Sequence, residues 1–230
     1  PYNEDSIGIS DSIEPVGTFV LADGLGGHGM GDIASSTAVR CVMTGNAPLH
    51  GNDFLADCFN AAQETILREQ LRLHAESKMK TTMVALRIEH SRAYYAHIGD
   101  SRLYHFSRRN CKQLTMDHSV PQMLVASGDI QRSEIRHHPD RNKLLRVLGV
   151  EWESPRFTLC KKPLIVWPGD AFLLCSDGFW ELIEEEEMLA LYRMHKRPEA
   201  WLAAMKELVE KRGAENEGTA DNFSAIAIVR

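Results

Sequence analysis

Residues 82–115 read TMVALRIEHSRAYYAHIGDSRLYHFSRRNCKQLT. Four short β-prone runs stand out, at 82–88, 92–97, 102–106 and 112–115. Between them lie the turn-like pieces His90-Ser91, Gly99-Asp100-Ser101 and Arg109-Asn110. Connections this short leave no room for a crossover helix, so neighbouring strands must pair antiparallel. Upstream, 16–22 (VGTFVLA) is an apolar strand ending at Asp23. Residues 32–45 follow as a helix, with Ile33, Ala34, Thr37, Ala38, Cys41 and Val42 at helical spacing. A longer helix over 53–75 carries the buried stripe Phe54, Leu55, Cys58, Phe59, Ala62, Ile66, Leu67 and Leu71. Downstream, a short helix at 120–126 is stopped by Gly128. A basic, less regular stretch covers 131–146, strands resume at 156–160 and 171–175, helices follow at 184–195 and 199–211, and 223–229 is a last strand. Helices placed early and late around many antiparallel strands predict an α+β fold, a β-sandwich with helical layers outside.

Composition narrows the function classes. The chain has 230 residues, 43% hydrophobic and 25% charged, without a Pro/Ser-rich linker, as expected of one globular domain over 1–230. A formal net charge of −6 gives no help to nucleic-acid binding. Cys41, Cys58, Cys111, Cys160 and Cys175 are an odd number without CxxC spacing, which reads as reduced thiols in a cytoplasmic protein. There is no apolar run of membrane length and no signal peptide. The chain starts at Pro1 without an initiator Met, which implies residues upstream.

Carboxylates sit at the ends of apolar runs. Asn3-Glu4-Asp5, Asp23-Gly24, Ser176-Asp177-Gly178 and Asp221-Asn222 occur in that order; Asp23 and Asp177 end apolar segments and Asp221 opens one. A carboxylate at a strand edge followed by Gly tends to lie where a sheet meets a cleft. Several converging carboxylates repel one another unless cations hold them, so the pattern points to a multi-metal site for hard, oxygen-loving ions.

Each feature also has a plainer reading. A lone Asp-Gly is most often a turn, and Asp23-Gly24, Gly99-Asp100 and Asp177-Gly178 could each be only that. Gly24-Leu25-Gly26-Gly27-His28-Gly29 satisfies GxGxxG between a strand and a helix. However, Asp23 abuts the first Gly, where it would repel a pyrophosphate, and no prompt parallel strand with a ribose-binding acid follows. The acids Glu184 to Glu187 suit a helix start, where they complement the dipole. His137 and His138 are adjacent and point in different directions, as in a solvated loop.

The combination of boxes resembles the metal-dependent protein phosphatases of the protein phosphatase 2C type, their bacterial branch in particular. The pattern matches at Asn3-Glu4-Asp5-Ser6, Ala22-Asp23-Gly24-Leu25-Gly26-Gly27-His28, Thr81-Thr82 and Ile98-Gly99-Asp100-Ser101-Arg102-Leu103-Tyr104. It continues at Leu114-Thr115-Met116-Asp117-His118-Ser119, Cys175-Ser176-Asp177-Gly178 and Asp221-Asn222-Phe223-Ser224. The resemblance spans essentially the whole chain.

It implies a four-layer αββα sandwich flanked by pairs of helices, with metals in a cleft at one end and a flap at about 119–148. It also implies roles. Asp23 bridges two metals, and Asp177 and Asp221 complete the first. The Gly24 carbonyl and Glu4 serve the second, Asp5 holds metal-bound waters, and Asp100 contributes to a third, weaker ion. Mn²⁺ or Mg²⁺ would activate a bridging water for in-line attack on phospho-Ser or phospho-Thr. The implied partners are phosphorylated proteins, among them a Ser/Thr kinase or its substrates, with neither nucleic acid nor membrane involved.

Two departures stand out. The family's phosphate-binding Arg would fall ahead of Pro1, and the position after Asp23-Gly24, a His in some members, is Leu25. The phosphate-binding residue and the proton donor are therefore unassigned, with His28 the nearest candidate for the latter. Two other readings compete: a catalytically inert binding module, which would not need Asp23, Asp177 and Asp221 together, and a small-molecule phosphoesterase. The basic stretch 132–146 suits a phosphorylated protein segment better than the latter, although it could equally be an exposed loop.

Overall fold

Alternation along the strands builds the layers of this computed structural model, which describes residues 3–10, 15–25, 30–46, 48–75, 78–215 and 222–230. In chain order the elements are β1 (Ser6–Ile9), β2 (Val16–Ala22), β3 (Gly24–Leu25), α1 (Gly31–Met43), α2 (Gly51–Leu73), β4 (Lys80–Thr81), β5 (Met83–Glu89) and β6 (Arg92–Ile98). They continue with β7 (Arg102–Phe106), β8 (Cys111–Gln113), α3 (Val120–Ser127), a 3₁₀ turn (Arg132–His137), β9 (Thr158–Leu159) and β10 (Leu164–Ile165). The last are β11 (Ala171–Cys175), α4 (Asp177–Trp180), α5 (Glu185–Met194), α6 (Pro198–Glu215) and β12 (Ala225–Val229).

Among the described residues one sheet runs β1-β2-β5-β6-β10, with β9 also on β6, and a second runs β12-β11-β7-β8. Their pairings are antiparallel throughout. A strand turns successive side chains to opposite faces. In β2, Phe19 and Leu21 therefore meet Leu103, Phe172, Leu174, Ile226 and Ile228 between the sheets. Val20 and Ala22 face the other way, onto Ala34, Ala38, Phe59 and Ala62 of α1 and α2. In β11, Leu173 and Cys175 pack outward against Trp201, Met205 and Val209 of α6. Three apolar layers thus separate four structural layers, and the fold is the expected αββα sandwich.

The departures from expectation are local. Leu71, expected on the buried stripe of α2, is 66% exposed, because it lies in the last turn of the helix, beyond the last buried position at Gln70. The strand expected at 112–115 ends at Gln113, because Leu114 N–H turns to the Leu103 carbonyl and the Thr115 hydroxyl accepts from Leu103 N–H. The strand expected at 156–160 shrinks to Thr158–Leu159, which pairs only with Ala96 and His97. The final strand starts at Ala225, since Ser224 N–H is taken by the Ser176 hydroxyl. Helix α6 begins one residue earlier than expected, at Pro198, a residue tolerated in a first helical turn. Part of the basic stretch is the 3₁₀ turn, closed by a reciprocal Gln131–Glu134 capping box. No helix among the described residues is long and apolar enough to cross a membrane.

Phe172 lies between the sheets at 0% exposure. Phe172→Ala should destabilise the protein by about 3–5 kcal/mol, the usual cost of emptying a fully buried aromatic site. Denaturant titration checks this, and a loss under ~1 kcal/mol would mean that the layer collapses freely.

Candidate metal centre

Four carboxylates from distant parts of the sequence meet at one end of the sandwich. Asp23 leaves β2 and shares a hydrogen bond with Asp177, while Asp5 and Asp100 also act on it electrostatically. Burial, and then the charges of Asp177, Asp5 and Asp100, hold the Asp23 carboxyl well above the usual carboxylate range. Asp100 is 3% exposed. Burial again comes first in raising its carboxyl, followed by Asp177 and Asp117, with Arg102 opposing.

Each carboxylate is placed by a different device. The Asp23 carbonyl accepts from Thr82 N–H (2.9 Å) and from the Thr81 hydroxyl (2.8 Å), while Asp23 N–H donates to the Thr82 hydroxyl (3.2 Å). Asp177 starts the four-residue α4, with Gly178 N–H donating to its Oδ1 at 2.6 Å. The Ser176 hydroxyl donates to Asp5 Oδ2 at 3.1 Å, tying the N-terminal segment to β11. The Ser35 hydroxyl of α1 donates to the Glu4 carbonyl at 2.6 Å and lies 2.9 Å from the Ser6 hydroxyl.

Asp100 is aimed by a tight turn. Gly99 takes φ 97°, a left-handed conformation that side chains resist, and any Cβ there would also collide with Thr82. His118 grips this glycine twice, donating its N–H to the Gly99 carbonyl (2.9 Å) and accepting from Gly99 N–H at Nδ1 (3.2 Å). Trp180 Nε1–H donates to the Asp100 carbonyl at 3.0 Å.

The donor set suits hard divalent ions. Every side chain gathered here offers oxygen, and the charges acting on Asp23 come from other carboxylates. Gly24 has no room for a side chain, since a Cβ there would run into the Gly31 carbonyl and the Glu4 carbonyl. A Cβ on Gly31 would in turn sit 2.6 Å from Glu4 Oε2. The Glu4 carboxylate and the Gly24 backbone therefore lie at one edge of the cluster.

Asp23, Gly24, Asp177, Asp100, Glu4 and Asp5 are thus gathered in the fold. Asp221 and His28 lie outside the described residues. Asn222, the neighbour of Asp221, brings its carbonyl against Gly178, where a side chain would clash. Ser35 and Gly31 carry no signal in the sequence, whereas Thr82, Ser101 and Ser176 stand in the family's boxes; the contacts by which Ser35, Thr82 and Ser176 support the cluster reach distant segments. Glu184, Glu185 and Glu186 also cluster, but Arg136 already bonds Glu185 (2.7 Å) and Glu184 (3.1 Å). The reciprocal Glu184–Glu187 capping box fits their reading as a helix start.

An antiparallel αββα sandwich with oxygen donors crowded at one end defines a class of metal-assisted hydrolase folds. The family model of Protein phosphatase 2C matches residues 2–217, and the chain belongs to that family. A relative, serine/threonine phosphatase stp of Listeria monocytogenes, is 32% identical over 100% of this chain and 90% of its own length. The crystal structure of serine/threonine phosphatase Stp1 from Staphylococcus aureus is similar with a TM-score of 0.86 and 25% identity, covering 100% of this chain and 90% of that one. The catalytic domain of the serine/threonine protein phosphatase PstP, solved in complex with 2 manganese ions, is similar with a TM-score of 0.77 and 27% identity, covering 100% and 93%.

Raised carboxyl pKa values have a stability consequence. The folded metal-free protein binds these protons more tightly than the unfolded chain, so its stability falls as pH rises from the ordinary carboxylate range through the raised values. Asp23→Asn should therefore raise the melting temperature of the metal-free protein, by a few degrees if ~1 kcal/mol is gained. The same variant should lose the further rise that Mn²⁺ gives the wild type. Melting curves with and without Mn²⁺ test both, and a lower metal-free melting temperature would contradict the repulsion.

Proposed function

We propose that this chain is a metal-dependent phosphoprotein phosphatase that hydrolyses phospho-Ser and phospho-Thr. The observation that carries the reading is the confinement of Asp23, Asp177, Asp5 and Asp100 at one end of the sandwich, in a chain of the protein phosphatase 2C family. Similarity to a serine/threonine phosphatase along the whole chain supports the substrate class.

In this reading Asp23, surrounded by the other acids, would be a ligand of both divalent cations. Asp177 with Asp221 would complete one, the Gly24 carbonyl with Glu4 would serve the other, and Asp5 would hold metal-bound waters. The manganese pair in the PstP structure supports the number. Mn²⁺ and Mg²⁺ fit the all-oxygen donors, whereas Zn²⁺ commonly takes nitrogen and sulfur. Asp100 we assign to a third, weaker site. When bound, such a pair lowers the pKa of a water and neutralises phosphoryl charge during in-line displacement.

The chain's own residues position these ligands. Thr81 and Thr82 fix the Asp23 backbone, and the Gly99 turn with Trp180 fixes Asp100. Burial pushes the Cys58 and Cys111 thiols up to about 12, and Cys175 higher still, so these three sulfurs stay neutral and poorly nucleophilic near pH 7.

We assign residues 1–230 to a single catalytic domain with a flap at about 119–148. Arg136 pairs with Glu184 and Glu185, and Arg141 with Glu181, fastening this segment to α4 and α5. A phosphoprotein substrate implies an opposing Ser/Thr kinase acting on the same proteins. Five free cysteines favour the cytoplasm as its site of action.

Phosphate release from matched phospho-Ser, phospho-Thr and phospho-Tyr peptides tests the reading. With Mn²⁺ or Mg²⁺ the first two should turn over, and exhaustive chelation should abolish activity. Undiminished turnover after chelation, or a preference for phospho-Tyr, would contradict it. Asp100→Asn should raise the Mn²⁺ concentration needed for half-maximal activity while sparing the tighter Mn²⁺ binding measured by calorimetry. Unchanged metal demand would reduce Asp100 to a turn residue.

A further inference from the structure

Two cavities meet at Leu145 and Arg146, and both side chains line each of them. The smaller, of about 340 Å³, begins at Leu25, directly after Asp23-Gly24, and includes Lys80 and Arg156. The larger, of about 710 Å³, runs from Arg146 past His118 on the flap side to Lys161 and Lys162. Sharing Leu145 and Arg146, they form a groove that starts at Leu25, the residue after Gly24, and leaves along β9.

The groove has an apolar floor and a cationic rim. Met116, Met123 and Leu145 are 61%, 51% and 44% exposed, and all three face the larger cavity. Methionine side chains adapt to varied partners. Lys80, Arg146, Arg156, Lys161 and Lys162 form no ion pair among the described residues. Asp117, the carboxylate within the larger cavity, is 5% exposed and bound at both oxygens by Arg102 (3.0 and 2.7 Å). In a chain of net charge −6, a groove edged by cations alone is a local inversion of charge. Its neighbours in sequence do otherwise: Arg136 and Arg141 are already paired to acids, and Lys143 sits 2.8 Å from Asp140.

We infer that this groove docks an extended segment of the phosphoprotein beside the phosphorylated residue, and that it selects segments in which acidic and apolar residues alternate. The inference rests on the phosphatase reading above. A polypeptide fits better than a small anion, because the groove spans two cavities and begins one residue beyond Gly24, at the edge of the proposed metal site. An extended chain turns successive side chains to opposite sides, so alternation would send apolar residues to the floor and acids to the rim. The groove is coupled to the metal centre through His118, which lines it and grips Gly99 beside Asp100.

The test compares two phospho-Thr peptides, one flanked by alternating Asp and Leu and one by Ser and Ala, on the wild type and on Lys161→Glu/Lys162→Glu. Both lysines are exposed and lie outside the proposed ligand set. The wild type should show a KM about tenfold lower for the acidic peptide, and the double variant should lose that advantage with kcat little changed. Turnover of p-nitrophenyl phosphate with Mn²⁺ should be equal in both proteins. Separately, fluorescence anisotropy of the unphosphorylated acidic peptide should report binding that weakens with salt and in the double variant. Equal KM values for the two peptides on the wild type, or an acidic preference untouched by reversing both lysines, overturns the proposal. Hydrolysis of p-nitrophenyl phosphate but of neither peptide overturns the protein-phosphatase reading instead, and anisotropy then decides docking alone.

Discussion

Mutual repulsion among Asp23, Asp177, Asp5 and Asp100 is the constraint around which the rest of the molecule is arranged. Like charges brought together away from water oppose folding, and the pKa directions of Asp23 and Asp100 register that cost. The scaffold offsets it with three buried apolar layers, two of them between a sheet and its helices and one between the sheets. No local segment could hold such a cluster by itself. The N-terminal segment is tied by Ser35 and Ser176, the end of β2 by Thr81 and Thr82, and the Asp100 turn by His118 and Trp180. Function and stability therefore pull in opposite directions at this one place, as is common at active sites.

A second polar system secures the face beside the centre. Arg102 bonds both oxygens of Asp117 and lies 3.3 Å over the Trp180 ring, whose indole N–H holds the Asp100 carbonyl. Arg136 stacks more loosely over the same ring, at 5.4 Å, and reaches Glu184 and Glu185. Truncating one partner of a buried pair such as Arg102–Asp117 leaves an uncompensated charge, typically at a cost of about 3–5 kcal/mol. One aromatic ring is thus shared by the turn carrying Asp100, the start of β7 and the segment after α3. The groove wall and the carboxylate cluster rest on common supports.

Much of this was legible because the central strands are short apolar runs bounded by turn residues. Residues 16–22, 102–106 and 171–175 form strands with the expected bounds, since apolar side chains fill both faces and turns punctuate their ends. β1, β3, β4 and β10 escaped notice because two to four residues carry no periodicity, and β3–β4 consists only of the pairs Gly24–Thr81 and Leu25–Lys80. The turn of helix at Asp177 was hidden by Gly178, which reads as a turn residue. The carboxylates were visible as a set, but their supports were not, because Ser35, Ser176 and Thr82 act across 31, 171 and 59 residues of chain. The basic stretch was legible as charge only. Its arginines divide by tertiary packing: Arg136 and Arg141 clamp Glu181, Glu184 and Glu185, Arg132 bonds Gln113, and Arg146 lines the groove.

The central claim is that the carboxylate cluster exists to hold cations. Anomalous diffraction from crystals of the full chain grown with Mn²⁺ tests it most directly. The account predicts strong anomalous peaks within ligand distance of Asp23 and Asp177, with the Glu4 and Gly24 edge serving the second ion. Manganese bound instead only at the exposed acids of α5, or absent from the Asp23 end at saturating concentration, would contradict it.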